Sequence, residues 1–75
     1  MSTHNIISEV TGSVWKIEAA VGQRVSLGQS IVIVESMKME IPVEAPADGV
    51  ITVIRVEEGQ PVAEGQTVAV IDTAA

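Results

Sequence analysis

The chain has 75 residues, with ten acidic against four basic side chains and a formal charge of −6, a balance that repels nucleic-acid phosphate. The absence of Cys excludes a disulfide framework, a Cys-zinc site and a catalytic thiol, and a single His, at position 4, gives no basis for a His-based metal site or a Ser-His-Asp triad. No apolar run exceeds four residues, as in Ile31-Val32-Ile33-Val34, far too few to span a bilayer, and the N-terminus lacks the basic-then-apolar order of a signal peptide.

These features predict a soluble, cytoplasmic protein that binds neither nucleic acid nor membrane. Thirteen Val and nine Ile stand against one Leu and one aromatic residue, Trp15. β-Branched side chains favour strands, so an all-β fold is expected, a single domain over residues 1–75 with its core near 5–72. In chain order, strands are predicted over residues 5–10, 13–18, 24–26, 30–35, 40–44, 50–56, 61–63 and 67–72. Pro42 marks its strand as an edge or a bulge, and Pro61 opens a strand where a missing N–H does least damage. Each glycine is assigned to a turn. Trp15 is expected to be a half-buried strand residue, and Glu57-Glu58 a solvated turn.

Residues 12–35 align without a gap on residues 49–72, an offset of 37. Gly12, Ile17, Gly22, Gln23, Val25, Gly28 and Gln29 recur as Gly49, Ile54, Gly59, Gln60, Val62, Gly65 and Gln66. Neither half is long enough to cover its own apolar face. A shared core between two similar halves follows, as a pseudo-two-fold sandwich or flattened barrel of short antiparallel strands. Position 38 maps onto 75 in one direction and onto 1 in the other. The segment joining the halves should therefore lie at one end of the molecule and the termini at the other.

That segment reads Glu35-Ser36-Met37-Lys38-Met39-Glu40 and suits a hairpin tip. It contains no Gly, Asn or Pro, and places a Met on each side of one of only two lysines. Methionine is overused where another protein grips a surface, and a lysine amine is a nucleophile once deprotonated. Taken alone, Met-Lys-Met is read as an exposed Lys with Met packing down on the hairpin. Its position at the single break between two gapless repeats favours a functional reading.

The hexapeptide at 35–40, centred between two Gly-Gln-containing repeats, resembles the biotinyl-attachment domain of biotin-dependent carboxylases, a biotin carboxyl carrier-like domain. The resemblance runs from about residue 5 to residue 72. It implies a barrel-sandwich hybrid, or hammerhead: a flattened antiparallel barrel of two four-stranded sheets. It also implies covalent biotin as cofactor, in amide linkage to Lys38, with Met37 and Met39 recognised by the ligase. The implied partners are a biotin protein ligase, a biotin carboxylase and a carboxyltransferase such as that of acetyl-CoA carboxylase. The ligase would activate the biotin carboxylate as an acyl-adenylate for attack by the Lys38 amine, and the carrier would then shuttle carboxyl groups between the two enzymes. No catalytic residue is expected in the chain itself. An isolated monomer is expected; Glu35 and Glu40 read equally well as ordinary solvated acids or as charges that steer the tip toward basic clefts.

The sequence departs from the family before the first repeat, where 8–12 lack the usual proline, whereas Ala45-Pro46-Ala47-Asp48-Gly49 keeps it. The gapless repeat leaves no space for the inserted thumb of some carriers, and no Ala/Pro-rich linker is seen, as for a free-standing carrier or an excised domain. Two alternatives remain. A lipoyl carrier shares the fold but typically has Asp before the lysine and a small residue after it. An unmodified scaffold or adaptor module would carry no adduct at all.

Overall fold

A computed structural model of the chain describes residues 2–74. Eight strands account for its regular structure: β1 (Thr3–Ile7), β2 (Gly12–Ile17), β3 (Arg24–Val25), β4 (Ser30–Ser36), β5 (Met39–Glu44), β6 (Gly49–Ile54), β7 (Pro61–Val62) and β8 (Thr67–Asp72). They form two four-stranded antiparallel sheets, ordered β1-β8-β6-β3 and β5-β4-β2-β7. An offset of 37 residues carries one order onto the other, strand for strand. The expected pseudo-symmetric barrel of two four-stranded sheets is present, 36 Å long and 17 by 17 Å in section.

The repeats do not simply stack face to face. β3 belongs to the first repeat but pairs with β6 of the second, and β7 returns the exchange by pairing with β2. Each repeat thus supplies an edge strand to the other's sheet. The first strand also differs from expectation, running over Thr3–Ile7 rather than 5–10. It begins where β8 ends, in the register Thr3↔Asp72. It stops because Ser8 turns the chain, its hydroxyl donating to the Val10 carbonyl at 2.6 Å. Pro42 lies on the edge strand β5, as predicted.

The buried apolar residues obey the same symmetry. Val14/Ile51, Ala19/Val56, Val25/Val62, Ile31/Val68, Val32/Ala69, Val34/Ile71 and Ile6/Val43 are all buried pairs, and the remaining buried residue, Ala45, has buried Ser8 as its mate. A strand alternates its faces, yet Ile31-Val32 and Val68-Ala69 are buried as neighbours. Register shifts between Ser30 and Val32, and beside Val68, allow this by adding a residue to one strand, which also curls each sheet around the core.

The glycines divide into two kinds, which corrects their uniform assignment to turns. Gly22, Gly28, Gly59 and Gly65 have φ of +85° to +89° and do serve turns. Gly12 and Gly49 begin strands without positive φ, and space is their constraint. A Cβ on Gly49 would lie 2.5 Å from the Asp72 carbonyl oxygen, and one on Gly12 would collide with the carbonyl of Glu35. The glutamine after each turn glycine closes its turn twice. In the first turn the Gln23 carboxamide oxygen accepts from the Ala20 N–H at 3.1 Å, while the Gln23 N–H donates to the Ala20 carbonyl at 3.0 Å. Gln29, Gln60 and Gln66 do the same to Ser26, Glu57 and Ala63.

Candidate functional site

The β4–β5 hairpin closes with the register Val34↔Ile41, Glu35↔Glu40, Ser36↔Met39, leaving Met37 and Lys38 as a two-residue loop. Both have positive φ, 52° and 65°, and are the only non-glycine residues with positive φ among those described. Two successive positive φ values define a primed turn, whose twist matches that of the flanking strands. Such turns normally recruit Asn-Gly, because a side chain in the left-handed region carries strain of at least about 1 kcal/mol per residue. Here the strained pair is Met-Lys, so the amine occupies the apex of the turn. Lys38 is exposed, and Met37 and Met39 are 93% and 64% exposed.

The base of this turn is anchored by residues that sequence reasoning did not single out. The Ser36 hydroxyl donates to the Thr11 carbonyl at 2.9 Å, and the Thr11 hydroxyl oxygen accepts from the Glu64 N–H at 3.1 Å. Beneath them, the absence of a side chain at Gly12 lets β2 lie against the Glu35 backbone. The only sequence signal for this anchoring was the recurrence of Gly12 as Gly49. The exposed thioethers do not pack down on the hairpin as the bland reading of Met-Lys-Met required.

Other residues weighed from the sequence fall elsewhere. Lys16 is exposed but lies within β2, where its backbone is paired opposite Ile33 of β4. Trp15 is also in β2, at the register shift between Val14 and Lys16, and is 48% exposed. Its mate Thr52 occupies the matching irregularity of β6. Glu35 and Glu40 face each other directly across the ladder, one pair below the turn that carries Lys38. Glu58, expected to be merely solvated, accepts from the Ile17 N–H at 3.1 Å.

The tip points away from the chain ends. At the start of β4, the Leu27 N–H donates to Asp48 at 2.7 Å and the Gly28 N–H to the Ala45 carbonyl at 2.9 Å. Gly49, beside Asp48, abuts Asp72 at the end of β8, and the Thr73 N–H donates to the Ser2 carbonyl at 2.8 Å. The termini therefore gather where β4 begins, and Lys38 lies where it ends; positions 1 and 75 themselves fall outside the described residues. An amine at a free apex, on a hairpin tied down at its base, fits a long acyl group that must reach beyond the domain.

Comparisons with known proteins agree with this geometry. The family model described as biotin-requiring enzyme matches residues 2–71. The biotin/lipoyl attachment protein of Bacillus subtilis is 39% identical over 57 residues, covering 76% of this chain and 78% of that protein. Pyruvate carboxylase of Staphylococcus aureus is 37% identical over 70 residues, which cover 93% of this chain but 6% of the enzyme. Among solved structures, Kluyveromyces lactis urea carboxylase superposes with a TM-score of 0.91 at 39% identity, covering 96% of this chain and 6% of that one. The chain belongs to the biotin/lipoyl-attachment family and is a biotin-carrying domain of the kind found in biotin-dependent carboxylases.

Proposed function

We propose that Lys38 is the residue that holds biotin, placed there by a biotin protein ligase, and that the domain carries carboxyl groups between a biotin carboxylase and a carboxyltransferase. The observation that carries this is the strained, exposed Met37-Lys38 turn at the end of the molecule remote from the termini. When bound, biotin supplies the ring nitrogen that accepts and releases the carboxyl group. The residues of this chain supply its reach and placement. Lys38 contributes a flexible four-carbon stem, and a tether raises the local concentration of its cargo at every site within reach. Met37 and Met39 offer unbranched apolar surface to the ligase, which can grip them without disturbing the core. Thr11, Ser36 and Gly12 keep the base of the turn rigid, so that motion is confined to the lysine arm.

The chain itself is non-catalytic in this scheme, and carboxylation belongs to its partners. Its match to only 6% of multi-domain carboxylases supports a division of labour of this sort. Exposure of the apex would let one ligase and two enzymes meet the same tip in turn. The test is co-expression with a biotin protein ligase, followed by intact-mass measurement and peptide mapping. One biotinyl group on Lys38 is expected. A lipoyl adduct, no adduct, or modification of Lys16 would overturn the assignment.

A further inference from the structure

We propose that Met37 and Met39 make the attachment site peroxide-sensitive: oxidation of these thioethers to sulfoxides stops modification of Lys38, and their reduction restores it. This rests on Lys38 being the biotin-accepting residue. The two methionines flank Lys38 in the chain and are 93% and 64% exposed, so a small oxidant reaches them without any opening of the fold. The chain has no Cys and no Tyr to compete for the oxidant, and its only other sulfur is that of Met1. Among the described residues the buried side chains are Val, Ile and Ala, with Ser8, none of which peroxide attacks. Among the described residues, oxidation at sulfur is therefore confined to Met37 and Met39, while the core that supports them is chemically inert.

The step balances with hydrogen peroxide as the oxidant. The thioether sulfur donates an electron pair to one peroxide oxygen, an S–O bond forms, the O–O bond breaks, and water leaves. Sulfur loses two electrons and the peroxide gains them. The product is polar and chiral in place of a flexible apolar group, and enzymes that reduce methionine sulfoxide reverse it. A ligase that closes over Met37 and Met39 would then have to desolvate two strong hydrogen-bond acceptors for which an apolar surface has no donors.

The whole chain, treated with hydrogen peroxide and mapped by peptide mass, is offered to a biotin protein ligase with biotin and ATP, and its thermal midpoint is recorded. The initial rate is expected to fall at least about tenfold relative to untreated chain, with the midpoint unchanged. Treatment with methionine sulfoxide reductases restores the rate. Substituting Met37→Leu with Met39→Leu is expected to leave the ratio of treated to untreated rate near one, whatever the starting rate of that variant. An undiminished rate with both sulfoxides present overturns the proposal, as does an equal fall in the double variant, which would place the damage at Trp15 or Met1. Untreated chain that accepts no biotin at Lys38 overturns the assignment of the attachment site, and the proposal with it.

Discussion

The two ends of the barrel are built from the same parts and finished differently. At one end β4 runs into β5 through Met37-Lys38; at the other, the equivalent strands β8 and β1 meet as chain termini, with Thr73 bonded to Ser2. Gly12 under Glu35 has its counterpart in Gly49 under Asp72. Thr11, which accepts from the Glu64 N–H, has its counterpart in Asp48, which accepts from the Leu27 N–H. These shared devices belong to the scaffold, since they recur where there is no lysine. Among the described residues the strained turn, its thioethers and the Glu35↔Glu40 pair occur only at the Lys38 end; the counterpart of that pair at the other end is Thr3↔Asp72. Symmetry thus separates what folds the protein from what it presents.

Several substitutions break that contrast, beginning with the largest effect. Lys38→Arg should abolish biotin incorporation entirely, because a guanidinium is not acylated, whereas Lys16→Arg should leave it intact; an avidin blot of both variants decides. Gly12→Ala and Gly49→Ala should each destabilise the fold by about 1–3 kcal/mol through overpacking against backbone. Urea unfolding midpoints that differ widely between them would break the equivalence of the two ends.

Replacing Met37-Lys38 by Asn-Gly should raise stability by about 1–2 kcal/mol, because the positive φ values would no longer be strained, while eliminating function. A thermal midpoint that stays level or falls would show that the turn is not under strain. The smallest effect is expected from Glu35→Gln with Glu40→Gln, which relieves a like-charge cross-strand pair and should stabilise by about 0.2–1 kcal/mol. Ligase association rates measured against ionic strength would show in the same variant whether those carboxylates steer encounter.

Much of the architecture was legible because repeats and turns are written in local chemistry. The Gly-Gln pairs marked four turns, and the offset of 37 predicted both the pairing of core residues and the opposed ends. The glycines that begin β2 and β6 were misassigned because a close backbone approach across a sheet leaves no local trace. Only the position of the colliding carbonyl, 23 residues away in sequence at Glu35 for Gly12 and at Asp72 for Gly49, identifies their role. The first strand was displaced for a related reason: Val10 looks like a strand residue, but pairing to β8 ends at Ile7. The Val and Ile count does not say which of these residues form the core. Twelve of those 22 residues are buried, since each strand shows one face to solvent, and Ala19, Ala45 and Ala69 complete the interior.

The sequence by itself determined the fold class and the repeat, and singled out the 35–40 segment on which the proposed function rests, because residue type, periodicity and the single break between repeats are local and countable. Tertiary structure decided that β3 and β7 are exchanged between the repeats, and that Met37 and Lys38 adopt positive φ. Strand exchange depends on which edge of which sheet lies nearest once both are formed. The strained turn persists only because β4 and β5, tied down through Ser36 and Thr11, leave two residues and no others to reverse the chain.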